Sequence, residues 1–308
     1  PCLIKHRDKM HLYPPINYIE PVFRPPSEAN SLILQVTNGC SWNRCTFCEM
    51  YTQPQKKFKP KAQQEIVEDL KRCAQSLAGV RRVFLADGDA MALSFERLKD
   101  ILLAIKEYLP TVSRVSSYCL PRNLKNKSVE ELAELKRLGL SLLYIGAESG
   151  NDQILSKIDK GETFQTTVDA LHKIKGAAIK SSVMIINGMG GINYTEQHAF
   201  DSARLVNETQ PDYLATLVLF FHQGEEDFIS AFGDDFVMAS QRQLIQEMEQ
   251  FITNLELEQT IFRSDHASNY LVLKGVLNRD KEKLLSMINS ALSLDNHIPL
   301  RSESSRGL

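Results

Sequence analysis

Cys40, Cys45 and Cys48 form the run Cys40-Ser-Trp-Asn-Arg-Cys45-Thr-Phe-Cys48, directly after a strand-like stretch, Leu32–Val36. Thiolate is a soft ligand that suits iron–sulfur clusters or zinc. Three thiolates within nine residues can hold three corners of an iron–sulfur cluster, and nothing nearby in sequence supplies a fourth ligand. A cluster with one uncoordinated iron can bind a small molecule there, which turns an electron carrier into a catalyst. Three other readings stand beside this one. Structural zinc normally wants four ligands, and no second CxxC or His pair lies close by. The C-x4-C-x2-C spacing also opens the plant-type 2Fe–2S pattern, completed by a distant cysteine, for which Cys73 is the candidate. Cys73, however, falls beside Ile66, Leu70 and Leu77 on the apolar side of an expected helix, where a packed thiol explains it. Three inert buried cysteines are the remaining reading, and their close spacing in a loop disfavours it.

The elements that must position these thiols alternate along the chain. Short apolar runs occur at Leu32–Val36, Arg82–Ala86, Ser113–Tyr118, Ser141–Gly146, Ser182–Asn187 and Tyr213–Phe220. Helical periodicity fills the intervals, over 62–77, 94–108, 128–138, 151–158 with 164–176, and 194–209. Gly139 after Leu138 and Gly79 after Ala78 are helix stops. Six strands alternating with helices imply parallel βαβ units, and their lack of clean alternation implies strands covered on both faces. Six units are too few for a closed eight-stranded barrel. They suit an open partial barrel or a doubly wound sheet, and in both the sites lie at the C-terminal strand ends. The expected fold is α/β, with a partial (β/α)6 TIM-type barrel and a doubly wound sheet both open at this point, and a mostly helical C-terminal extension. The expected organisation is an irregular, Pro-rich segment over 1–30, the core over 31–222 and the extension over 223–308. That extension shows helical stretches near 225–231, 240–256 and 280–293 and a strand candidate at Tyr270–Leu273.

Composition excludes several classes. With 43% hydrophobic and 24% charged residues the chain reads as a globular protein, and a net charge of −2 leaves no electrostatic footprint for nucleic acid or an anionic membrane. No run approaches the ~18 apolar residues of a membrane span, and no signal-peptide pattern is present. Six cysteines, three of them clustered, argue for a reducing compartment, so the protein is expected in the cytoplasm.

With these residues in view, the sequence resembles the radical S-adenosylmethionine (SAM) superfamily. The usual superfamily motif is C-x3-C-x2-C with an aromatic before the last Cys. Here the first gap is one residue longer and Phe47 fills the aromatic place. The resemblance covers roughly residues 31–222. It implies Cys40, Cys45 and Cys48 as ligands of one 4Fe–4S cluster. Phe84-Leu-Ala-Asp87-Gly88-Asp89-Ala90, ending the second expected strand, looks like the segment that holds the SAM amino group: Gly88 lets backbone approach, and Asp87 and Asp89 supply negative charge. Ser117, on the third strand, stands where relatives reach the sugar or methionine. Tyr144-Ile-Gly-Ala-Glu148-Ser149-Gly150 resembles the segment whose acid binds the ribose hydroxyls, and a carboxylate can accept two hydrogen bonds from a diol. Lys160 occupies a place where a cation could neutralise the SAM carboxylate. Val183-Met-Ile-Ile186-Asn187-Gly188 resembles the strand that packs against adenine.

The implied chemistry is reductive cleavage of SAM to a 5′-deoxyadenosyl radical, which abstracts hydrogen from a substrate, with one electron drawn from an external flavodoxin- or ferredoxin-like donor. A non-catalytic Fe–S electron-transfer or sensor protein on a related fold is the alternative. Outside the motif the sequence has only Cys2, Cys73 and Cys119. An auxiliary cluster is therefore not expected, nor the sulfur insertion and methylthiolation that use one. Neutral charge and the lack of a basic appendage point away from tRNA, so a small molecule is the expected substrate. Substrate contacts are expected from His222, at the end of the sixth strand, and from Asn269. In the same segment, Tyr270 could donate a hydrogen atom and His266 could transfer a proton.

Overall fold

The computed structural model describes residues 14–221, 224–293 and 298–306. The first expected strand is β1 (Leu32–Gln35), followed at once by the two-residue β2 (Thr37–Asn38) and, beyond the cysteine loop, by β3 (Lys59–Pro60). The remaining strands are β4 (Arg82–Ala86), β5 (Arg114–Tyr118), β6 (Leu140–Glu148), β7 (Lys180–Asn187), β8 (Tyr213–Val218), β9 (Thr260–Ser264) and β10 (Leu273–Leu277). The helices are α1 (Gln63–Ser76), α2 (Phe95–Tyr108), α3 (Val129–Arg137), α4 (Asp152–Lys157), α5 (Phe164–Gly176), α6 (Thr195–Thr209), α7 (Glu226–Phe232), α8 (Gln241–Thr253) and α9 (Lys281–Leu292). Between 14 and 30 the chain forms only a short 3-10 turn, Pro26–Glu28.

The chain divides into two compact units. The first comprises the chain up to Asn43, Met50–Tyr144 and Lys173–Lys180; the second comprises Arg44–Glu49, Ile145–His172 and the chain from Ser181. In the first unit the strand order is β1-β4-β5-β6, all parallel, with Leu32 opposite Val83, Val83 opposite Val115 and Ser117 opposite Leu143. β6 runs on into the second unit, whose order is β6-β7-β8-β9-β10. There β7, β8 and β9 run parallel, and β10 returns antiparallel to β9. Six strands alternating with helices through β8 give the (β/α)6 connectivity of a partial TIM-type barrel. All four residues of β1 are buried, as both-face coverage requires.

Local sequence explains the helix starts. Ser128 caps α3: its hydroxyl accepts from the Glu131 N–H at 3.1 Å while the Glu131 carboxylate accepts from the Ser128 N–H at 2.8 Å. Ser240 and Gln243 repeat this pairing at α8. After 222 the expected helical stretches form α7, α8 and α9, but they make up less than half of the described residues there, and two strands join the sheet. The expected strand at Tyr270–Leu273 begins at Leu273 instead, and β9 was not anticipated. β9 alternates between buried and more open positions over five residues only, too short a pattern to stand out. β10 contains Gly275, a residue that weakens any strand reading. It is needed there because a Cβ would come 2.9 Å from that of Asp280.

Candidate active site

The cysteine loop leaves the sheet through β2. Asn38 Nδ2 donates to the Gln55 carbonyl at 2.6 Å and the Lys57 carbonyl at 3.0 Å. Gly39 has φ +69°, and a Cβ there would lie 2.0 Å from the Lys56 carbonyl oxygen. Only glycine fits where the two ends of the loop pass this closely. Cys40, Cys45 and Cys48 are all half-buried, and the Cys48 N–H donates to the Cys45 carbonyl at 3.1 Å. Among the described residues, no three His, Cys, Asp or Glu side chains close around a metal-ion position. The donor set nevertheless fits an iron–sulfur cluster in kind: three accessible soft donors on one loop at the end of β1. Cys73 is fully buried on α1, and burial pushes its thiol up to about 11. It is a packed neutral thiol, unlike a ligand. Cys119 is also buried.

In the first unit, the segment after β4 places Asp87, Gly88 and Asp89. Asp87 is fully buried and ion-paired with Lys56, itself fully buried. The Tyr51 hydroxyl donates to Asp87 Oδ1 at 3.2 Å. Gly88 has a reason the sequence does not reveal: a Cβ would lie 2.4 Å from the Tyr51 ring. Asp89 is also fully buried. Its Oδ2 accepts from the Ser41 hydroxyl, inside the cysteine loop, while Oδ1 has no hydrogen-bond partner among the described residues. Burial pushes the Asp89 carboxyl up, and the Ser41 contact pulls it back in part. Ser117 is buried, with its hydroxyl 3.1 Å from the Leu85 carbonyl and 2.9 Å from that of Tyr118.

The second unit brings Glu148, Lys160 and Phe47 together. Glu148 ends β6 in the left-handed region, φ +66°, which is uncommon for a residue with a side chain. Its carboxylate folds back over Gly146, where a Cβ would stand 2.1 Å from Oε1. Lys160 Nζ donates to Oε1 at 3.0 Å and lies 5.7 Å from the centre of the Phe47 ring. Burial pulls the Lys160 pKa down, but Glu148 and Cys45 more than offset this, and it stands at about 12. Lys160 is therefore a fixed cation beside an acid, not a solvated surface lysine. Phe47 and Ile186 pack on the apolar cluster around Ile154, Met189 and Phe228. Gly188 has φ +85°, and the space beside its Cα holds Leu244 of α8.

His222 lies outside the described residues. Asn269 Nδ2 donates to the Thr216 carbonyl at 2.8 Å, and Asn269 Oδ1 is buried without a hydrogen-bond partner among the described residues. Tyr270 is engaged by Glu303 and Arg306. Its hydroxyl meets Glu303 and Arg306, and the Arg306 guanidinium stacks 3.9 Å from its ring centre. A hydrogen-atom role for Tyr270 requires that pair to give way. The Ser268 hydroxyl and N–H lie 2.9 and 3.2 Å from His266 Nδ1, so the ring is neutral with its proton on Nε2. Burial lowers the His266 pKa from 6.5 to about 4. The sign follows: on acidification the unfolded chain protonates this ring before the folded chain does. Stability is therefore expected to be complete above about pH 6.5 and to fall progressively towards about pH 4. His266→Asn, which keeps an acceptor but does not titrate, is expected to flatten that slope in urea melts run across the range.

Comparison with known proteins places these elements. The profile of the Radical SAM superfamily matches residues 34–206, from β1 through most of α6. A protein of Methanocaldococcus jannaschii provisionally named a methylthiotransferase is 23% identical over 267 residues, which cover 83% of this chain and 53% of that protein. The tRNA-2-methylthio-N(6)-dimethylallyladenosine synthase of Chromohalobacter salexigens is 25% identical over 204 residues, covering 63% of this chain and 44% of the relative. The chain thus spans about half the length of these curated relatives. Among solved structures, the coproporphyrinogen III oxidase of Escherichia coli, a radical SAM enzyme, superposes with a TM-score of 0.56 at 16% identity, over 85% of this chain and 58% of that one. The partial TIM-type barrel connectivity is the fold it shares. No helix among the described residues is long and apolar enough to cross a membrane. With more than half of its length matched, from the strand before the three cysteines to the helix after the Gly188 turn, the chain belongs to the radical SAM superfamily, whose members use a 4Fe–4S cluster and SAM.

Proposed function

We propose that the protein is a radical SAM enzyme in which Cys40, Cys45 and Cys48 hold three irons of one 4Fe–4S cluster and leave the fourth open to SAM. The observation that carries this reading is the set of three half-buried thiols on one loop after β1, inside the segment matched to the family. When bound, cluster and SAM together supply one-electron cleavage of a carbon–sulfur bond and hydrogen abstraction from a substrate. The chain's own residues bind, orient and exclude water. Asp89 accepts from the SAM ammonium through its unpartnered Oδ1, while Ser41 fixes the other oxygen. Glu148 accepts from the ribose hydroxyls, with Lys160 holding its carboxylate in place and adding positive charge for the SAM carboxylate. Phe47 covers the cluster side, and Ile186 and Gly188 face the adenine. Asp87, already paired with Lys56, supports this segment without touching the ligand.

The substrate we propose is a small molecule, with Asn269, His222, His266 and Tyr270 the residues on its side. Support comes from the net charge of −2 and from the small number of cysteines outside the loop. A flavodoxin- or ferredoxin-like protein of the cytoplasm would be the electron donor. In anaerobic protein with a full iron complement and its cluster left oxidised, so that SAM is bound but not cleaved, Asp89→Ala and Glu148→Ala are expected to weaken SAM binding by about 1–3 kcal/mol each, the cost of a lost charge-assisted hydrogen bond. Equilibrium binding measures this directly. A metabolite-extract screen for stimulated 5′-deoxyadenosine release then separates an enzyme from an electron carrier, which would show neither SAM binding nor release.

A further inference from the structure

Glu247 is an acid in the wrong place for an ordinary helix. It is 2% exposed, on the face of α8 that also buries Leu244, Ile245, Met248 and Phe251. Burying a carboxylate costs several kcal/mol unless it is well bonded. Oε1 accepts twice, from Asn187 Nδ2 and from the Gly188 N–H, both at 2.6 Å, and Oε2 has no hydrogen-bond partner among the described residues. His198 Nε2 stands 3.7 Å from Oε1 but gives its proton to the Ile186 carbonyl at 2.9 Å. The Asn187 carbonyl accepts from the Leu219 N–H at 3.0 Å. Polar groups of three successive residues, Ile186, Asn187 and Gly188, therefore each have a fixed partner. One turn before Glu247, Leu244 fills the space beside Gly188, 2.6 Å from where a Cβ would be. The helix grips the turn by a polar contact and an apolar one.

We propose that Glu247 is the positioning residue of the Ile186–Gly188 turn, holding it as a rigid wall for the adenine of SAM; this rests on the adenine reading of Ile186 and Gly188 above. The acid does not touch SAM. It acts by fixing the backbone against which the ring packs, so its loss lowers SAM affinity rather than the rate at saturation.

The test uses anaerobic, iron-loaded protein. Glu247→Met keeps length and packing but removes the acceptor, whereas Glu247→Gln keeps an oxygen that can serve both donors. Glu247→Met is expected to weaken SAM binding about tenfold or more, the cost of two buried donors left unpaired, with SAM cleavage at saturating SAM unchanged. Glu247→Gln is expected to stay within about threefold of wild type. Gln246→Ala, on the exposed side of the same helix, should match wild type. If Glu247→Met does not fold, Asn187→Ser removes one donor and is expected to show a loss of about threefold. Wild-type affinity in Glu247→Met with a lowered melting temperature would make the contact merely structural and overturn the inference. An Ile186→Ala variant separates the two levels. Lost affinity there but not in Glu247→Met overturns only the role of Glu247, and wild-type affinity in both overturns the adenine reading itself.

Discussion

Replacing Cys40, Cys45 or Cys48 by Ala is expected to abolish the cluster outright. Reconstituted wild-type protein should carry about four irons per chain, and each single variant close to none, because two thiolates cannot hold a cluster that already lacks a fourth protein ligand. Cys73→Ser and Cys119→Ser should keep the wild-type iron content. The argument for Cys73 is physical. Its thiol is fully buried on α1 and burial raises its pKa to about 11, so the thiolate a ligand requires is disfavoured where it sits. Iron analysis with the visible spectrum of anaerobic protein decides the matter. Loss of iron in Cys73→Ser would replace the three-thiolate reading with a four-thiolate, ferredoxin-like one, and would remove the open iron on which SAM chemistry depends.

What the sequence made legible was whatever repeats or clusters locally. Six strands and their helices emerge from short-range periodicity, and each structural boundary lies within a few residues of its expected place, as for Arg82–Ala86. The three cysteines are legible because they sit in one short run. Partnerships across long separations were not. Asp87 and Asp89 look equivalent on either side of Gly88. Only the fold shows that Lys56, 31 residues earlier, neutralises Asp87, while Asp89 Oδ1 has no hydrogen-bond partner among the described residues. Gly88 suggests close approach of a ligand, and the fold adds a second reason for it, the Tyr51 ring where a Cβ would stand. Tyr270 looked available, yet Glu303 and Arg306, 33 and 36 residues on, engage its hydroxyl. Glu247 did leave a signal: an acid inside the apolar stripe of an amphipathic helix, between Leu244 and Met248. The short strands β9 and β10 carried too little periodicity to separate them from the helices around them.

Breaking the Lys56–Asp87 pair is the second large effect expected, and it separates two roles for Asp87. Both side chains are fully buried. Lys56 Nζ also donates to the Ile19 carbonyl at 2.9 Å, and the Asp87 N–H to the Thr37 carbonyl at 3.1 Å. The pair therefore joins the N-terminal segment, the far end of the cysteine loop and the end of β4. Burial outweighs the pull of the ammonium, and the Asp87 carboxyl lies above its usual value. An ion pair in that state adds little net stability, but removing one partner strands the other charge without solvent. Lys56→Met or Asp87→Leu is accordingly expected to cost about 3–5 kcal/mol, and the double variant Lys56→Met/Asp87→Leu to recover most of it. Urea unfolding of the three variants, taken as a cycle, measures the coupling. If Asp87 is structural, the double variant should regain both iron content and SAM affinity together with stability. A double variant that folds and holds four irons but binds SAM far more weakly would instead place Asp87 against the ligand. The assignment of the ammonium contact to Asp89 alone would then fall.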